Sequence, residues 1–212
     1  MKKNDLNRRL KFSFGVVFAM LLLVGGTGYW GIHTLSAVST RALQVEAKIA
    51  ENSARLRADV LGLRRFEKDI FINIDSKEKV AEYATKWKDQ LSHAQARIAD
   101  LERITVSQQD KEVVKVMKGN LEAYNAGFNK VFASVQSNAI TTTQQGNQAI
   151  NQYKNEIHGL EKVAQDFAAG GVNRMAEEGR TLQGSAVKVT VAMLCLILSS
   201  VVILAVAVFS LK

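Results

Sequence analysis

Between Val80 and Leu101 the chain reads VAEYATKWKDQLSHAQARIADL, and Val80, Ala84, Trp87, Leu91, Ala94, Ile98 and Leu101 recur at alternating steps of four and three. This is the period of a helix that buries one face against other helices, whereas a half-buried strand would repeat every second residue. The stripe ends near Ile104. Ser107, followed three positions later by Asp110, marks a helix start, and Val114, Met117, Leu121, Tyr124, Phe128, Val131 and Val135 form the next stripe. The polar stretch from Ser137 to Gly146 reads as a connection. A further stripe runs through Ile150, Tyr153, Ile157, Leu160, Ala164 and Phe167, then less regularly through Val172, Met175 and Leu182. Gly170 and Gly171 weaken it locally, at roughly 1 kcal/mol per glycine relative to alanine.

On the amino-terminal side, Leu35, Val38, Ala42, Val45 and Ile49 keep the same spacing, which steps on to Ser53, Leu56, Val60, Leu63, Phe66 or Glu67, Ile70 and Ile74 with one or two phase shifts. Asp75, with Glu78 three positions later, signals the next helix start. Four stripes with short connections predict an all-α, antiparallel, up-down-up-down four-helix bundle. Composition agrees. The 212 residues contain no proline where average usage gives about ten. The single cysteine, Cys195, forms no internal disulfide. At 47% hydrophobic and 23% charged, the chain is not of the disordered class.

Two uncharged runs bracket this polar middle. From Phe12 the chain carries no formal charge until Arg41, with His33 neutral, and apolar density peaks between Phe14 and Ile32. About 20 apolar residues rising 1.5 Å each cross the roughly 30 Å hydrocarbon layer, so residues 12–32 read as a membrane span rather than a cleaved signal peptide. Val189 to Leu211 forms a second span, followed by Lys212. Lys2, Lys3, Arg8, Arg9 and Lys11 precede the first span, with Tyr29 and Trp30 at its far end. The basic tail of residues 1–11 is therefore expected to be cytoplasmic. Two spans return the chain to the cytoplasm, which puts both termini inside and residues 33–188 outside. Much of the net charge of +8 lies in that tail, which accounts for it without nucleic acid. Gly15 with Ala19, and Thr27 with Gly31, place small residues four apart, a spacing that permits close helix approach between two copies.

A basic tail, a span, a bundle of this size and a second span together resemble the amino-terminal part of bacterial methyl-accepting chemotaxis proteins. The most specific stretch is Leu63-Arg64-Arg65-Phe66-Glu67-Lys68-Asp69, with Asn73 beyond it. It is similar to the Arg-Arg-x-Glu-Lys-Asp stretch of their four-helix-bundle sensor domains. The resemblance implies a homodimeric transmembrane sensor in the bacterial inner membrane, with a periplasmic bundle and no cofactor. It also implies a small carboxylate or amino-acid ligand, bound directly or through a periplasmic binding protein, and a signal passed by displacement of the fourth helix. In the family a HAMP linker and a cytoplasmic coiled-coil hairpin follow the second span. They are not in this sequence, so a sensor module of a longer receptor, or a truncated product, is expected. The alternatives are the input half of a histidine kinase or cyclase, and a ligand-free structural membrane adaptor.

Arg55 lies four residues before Asp59 and Arg65 four before Asp69, so each is expected to pair on its own helix. Arg57, Arg64 and Lys68 fall on one stripe, and neither Arg57 nor Lys68 has an acidic residue three or four positions away. A guanidinium fork suits a carboxylate, which makes Arg64, with Arg57 or Lys68, the candidate ligand site, and Asn151 and Asn155 of the fourth helix its opposite wall. The competing reading pairs these cations with acids such as Glu156 or Glu161 of the fourth helix, or leaves them facing water. His33, His93 and His158 lack metal-ligand spacing, and Tyr83, Trp87, Tyr124, Phe128, Tyr153 and Phe167 match core spacing. No phosphate loop, nucleophile motif or paired catalytic carboxylates occur, so an enzyme is not expected.

Overall fold

The computed structural model describes the backbone of residues 3–209, and no side chain is described for residues 3–10, 13, 41–43, 204, 207 and 208. The side chains of the basic tail before Lys11, and the end of the second apolar run from Ser210 to Lys212, lie outside the described residues. The chain divides into two compact units, Leu43–Met175 and a second formed by Met1–Ala42 with Ala176–Lys212. Among the described residues all regular structure is helical.

The first unit is the bundle. Its first helix follows a π turn, Ala42–Glu46, and is α2, Ala47–Ile72; α1, Lys3–Arg41, precedes that turn in sequence. The second and third bundle helices are α3, Lys77–Ile104, and α4, Gln108–Gln136. The fourth is composite: α5, Thr143–Ile150, a 3₁₀ turn at Asn151–Tyr153, and the start of α6, Lys154–Phe209. Direction is fixed by pairs that step in opposite senses along neighbouring helices. Arg64 meets Glu161 while Lys68 meets Asn147 and Arg174 meets Glu46, so the first and fourth helices run antiparallel. Trp87 stacks on Phe128 while Glu102 holds Lys118, and α3 and α4 are likewise antiparallel.

The core follows the stripes. Leu56, Val60, Leu63 and Ile70 of α2 are buried with Trp87, Ala94, Ile98 and Leu101 of α3. Every position of the predicted third stripe, Val114 to Val135, is buried, as are Ile150, Ile157, Leu160, Ala164 and Phe167. Trp87 and Phe128 stack at 3.7 Å between ring centres, and Phe132 extends the stack at 5.7 Å from Phe128. The choice between Phe66 and Glu67 falls on Glu67, which is 4% exposed.

Several local expectations change. The cap of α3 is Ser76, whose hydroxyl accepts from the Lys79 N–H, not Asp75. The Ser107 cap is found as expected, accepting from the Asp110 N–H. The connection before the fourth helix is shorter than Ser137–Gly146, because Thr142 and Gln145 form a reciprocal capping box that makes Thr143–Gly146 helical. Arg55 pairs with Glu51 at 2.7 Å instead of Asp59, whereas Arg65 and Asp69 approach to 3.7 Å as expected. The helix runs through Gly170 and Gly171 unbroken. Gly171 serves close packing: a Cβ there would stand 3.0 Å from the Glu46 carbonyl oxygen.

In the second unit, large apolar side chains face outward, among them Phe14, Phe18, Leu21, Trp30, Leu194, Leu198 and Val202. The helical runs Phe14–Ile72 and Thr143–Ile203 are each long and apolar enough to cross a membrane. Gly31, from the predicted small-residue pair, packs within its own chain, where a Cβ would stand 2.7 Å from Val189 Cγ1.

Candidate functional site

The α2 stripe carrying Arg57, Arg64 and Lys68 is half-buried against the fourth helix. Arg64 Nη1 donates to Glu161 Oε2 at 2.9 Å, and Arg57 Nη2 lies 3.7 Å from Glu161 Oε1. One carboxylate of α6 therefore faces two guanidinium groups, as the competing sequence reading anticipated for Glu161. Neither arginine grips it with the parallel two-bond fork that makes such contacts strong. Arg57 Nε is buried without a partner, and so is Glu156 Oε2 on the same helix as Glu161.

Lys68 belongs to an adjoining cluster. Its ammonium lies 2.7 Å from Glu67 Oε1, donates to Asn147 Oδ1 at 2.6 Å and sits 5.5 Å above the Phe71 ring. Glu67 is held from the other side by the Tyr124 hydroxyl, which donates to Oε2 at 2.6 Å. The helical phase forces Glu67 inward, and a buried carboxylate is tolerable only when its oxygens are satisfied. The remaining predicted wall is arranged differently: Asn151 lies in the 3₁₀ turn and Asn155 in the first turn of α6, and both are exposed. Among the described residues no hydrogen bond ties either to Arg57, Arg64 or Lys68. Asn147 and Glu161, four residues before Asn151 and six after Asn155, take the facing positions.

Burial, then the adjacent Glu67 carboxylate, raise the Tyr124 pKa well above the ordinary 10.0. The sign follows directly. With the folded value raised, the contribution is complete below pH 10.0 and is lost as pH rises beyond it, because the unfolded phenol ionises first. Tyr124→Phe is accordingly expected to flatten the alkaline limb of the stability profile above that pH. At neutral pH it should cost about 1–3 kcal/mol, because Glu67 loses its buried donor. Thermal unfolding of both chains across pH 7–11 checks this.

Asp59 on α2 is half-buried, with Oδ2 buried and without a hydrogen-bond partner, a feature that its sequence pairing with Arg55 did not signal. Burial raises its pKa despite the opposing positive fields of His93, Arg97 and Arg55. Among the described residues no cluster of His, Cys, Asp or Glu could hold a metal ion.

The chain is a four-helix bundle with a charged seam between its first and last helices, and it carries two helices apolar enough for a bilayer. Residues 5–169 match the family described as the four helix bundle sensory module for signal transduction, and the chain belongs to that family, the sensor part of methyl-accepting chemotaxis proteins. Neither the curated proteins nor the solved structures contain a match to this chain.

Proposed function

We propose that this chain is the transmembrane sensor of a chemoreceptor. It crosses the inner membrane through residues 12–32 and 189–211, keeps both termini cytoplasmic and presents residues 33–188 to the periplasm as a homodimeric bundle. The ligand is a small organic acid or amino acid whose carboxylate binds Arg64 and Arg57, with Lys68 beside them and Asn151 and Asn155 at the rim. The ligand is captured directly; delivery by a periplasmic binding protein would use the same bundle.

The observation that carries this reading is the convergence of Arg57 and Arg64 on Glu161. An ion pair whose arginines are partly exposed and whose contacts lack the two-bond fork is worth on the order of 1 kcal/mol. A charge-assisted contact made by a planar carboxylate with good geometry is worth about 1.5–3 kcal/mol. A ligand carboxylate making the two-bond contact that Glu161 lacks competes with it for Arg64 and Arg57, provided that the rest of the ligand supplies the cost of association. Because Glu161 belongs to α6, its displacement removes one tie between the first and fourth helices and biases their relative position. Binding and signal are then the same event.

Titration calorimetry of the intact chain in lipid nanodiscs against a panel of organic and amino acids is the test. A ligand is expected whose affinity falls at least about tenfold in Arg64→Ala and rises in Glu161→Gln, each tenfold corresponding to about 1.4 kcal/mol. A ligand that binds Arg64→Ala as tightly as the native chain overturns the assignment. The ligand-free adaptor draws on the same contact, since Glu161 already neutralises one guanidinium. It predicts no thermal stabilisation by any small molecule, and stabilisation only by a protein partner.

A further inference from the structure

The carboxy-terminal residue of the π turn, Glu46, is the only charged residue in Ala42–Glu46, and it is buried. Its Oε2 accepts a hydrogen bond from Arg174 Nε on α6 at 2.6 Å. The same guanidinium reaches toward Asp110, in the first turn of α4, with Nη1 at 3.9 Å, and lies 5.8 Å from the centre of the Phe167 ring. Its third nitrogen, Nη2, is buried with no partner. Gly171, one turn before Arg174, lets the two backbones close up. A Cβ there would meet the Glu46 carbonyl oxygen at 3.0 Å and the Ala50 nitrogen at 3.1 Å. Three bundle helices thus converge on the end of one irregular turn.

A π turn closes from residue i to i+5 where an α turn closes to i+4, so it holds one residue more than the helix on either side. Such a turn is a poor use of backbone hydrogen bonds and persists where its surroundings hold it. Here the holding group is identifiable: a buried carboxylate is strongly disfavoured without its counter-charge, so Glu46 stays inside while Arg174 covers it. We infer that the Glu46–Arg174–Asp110 contact is a clasp that maintains the π turn. Movement of Arg174 along or about the α6 axis opens the clasp and lets the turn relax to α-helical geometry. Relaxation shifts the register of the chain amino-terminal to the turn by one residue, about 1.5 Å of rise and 100° of rotation. A small displacement of the fourth helix becomes a discrete step in α1, the helix that precedes the turn, because the turn is either π or α. The clasp does not depend on what ligand, if any, binds at Arg64.

The test is amide hydrogen exchange over residues 45–50 of the full chain in nanodiscs, comparing the native chain, Arg174→Gln, a deletion of the exposed Gln44, and the two combined. Arg174→Gln is expected to speed exchange there by about tenfold or more while leaving Trp87–Leu101 unchanged. Deleting Gln44 removes the extra residue, so the turn becomes α and no longer needs holding. In that background the acceleration caused by Arg174→Gln should be smaller by at least about fivefold, because only the uncovered Glu46 carboxylate, and no π turn, remains to loosen the region. Equal acceleration in both backgrounds would make the contact ordinary bundle stabilisation and overturn the inference, as would no acceleration in the native background. Should Arg174→Gln loosen Trp87–Leu101 as well, Glu46→Gln carries the same comparison, since it removes the ionic contact without leaving a buried charge.

Discussion

Trp87→Ala is expected to destabilise the bundle by about 3–5 kcal/mol, the range for truncating a buried tryptophan. The indole is 1% exposed, stacks on Phe128 with 12° between the ring planes, and lies 6.2 Å from the Tyr124 ring. Truncation removes that contact area and leaves a hole that stiff aromatic neighbours cannot fill. It also unseats Tyr124, whose hydroxyl satisfies the buried Glu67. Domains are stable by about 5–15 kcal/mol, so this one change consumes a large share. Thermal unfolding followed by circular dichroism should show the midpoint falling on the order of 10 °C. A fall of a degree or two would mean that the indole is not packed as described.

Gly127→Val is expected to cost about 1–3 kcal/mol through overpacking. Gly127 is buried in α4, and a Cβ added there would run into the Cγ, Cδ1 and Cδ2 atoms of Tyr153. These atoms sit at the root of the ring rather than at a flexible tip, so relief requires moving the 3₁₀ turn that carries Tyr153. The damage should be local, with faster amide exchange through residues 147–156 before any change in α3. Gly119 in the same helix is the control, because a Cβ there meets nothing within 4 Å. Gly119→Ala should stabilise by up to about 1 kcal/mol, the propensity gain alone. Opposite signs at two glycines of one helix separate packing from helix propensity.

The bundle was legible in the sequence because its helices obey one period over long stretches. The third stripe contains every buried hydrophobic side chain from Val114 to Val135, since each of those residues is apolar and the phase never slips. The first stripe was harder. At the choice between Phe66 and Glu67, apolarity favours Phe66, whereas the alternation set by Leu56, Val60 and Leu63, steps of four then three, calls for a step of four to Glu67. Phase prevails because a partner exists, Tyr124, 57 residues away. That partner is invisible to local reading, as is the Glu46–Arg174 pair, separated by 128 residues.

The candidate site divides along the same line. Arg57 and Arg64 stand together because they share a helix face, which spacing reveals. Asn151 and Asn155 lie on the polar face of the early fourth helix as the sequence is read. The 3₁₀ turn at Asn151–Tyr153 breaks that phase, and Asn147 and Glu161 face α2 instead. The capping box at Thr142 and Gln145 was the available signal for an earlier helix start, hidden within a stretch whose polarity reads as loop.

A sensor of the proposed kind requires the bundle to stand outside a membrane that the chain crosses twice. Labelling of a Cys195→Ala, Asn151→Cys chain in intact cells by a membrane-impermeant maleimide tests this most directly, since Asn151 is exposed at the 3₁₀ turn and the native thiol has been removed. The expected result is full labelling of Cys at that position before the membrane is opened. Labelling that occurs only after permeabilisation would contradict the account.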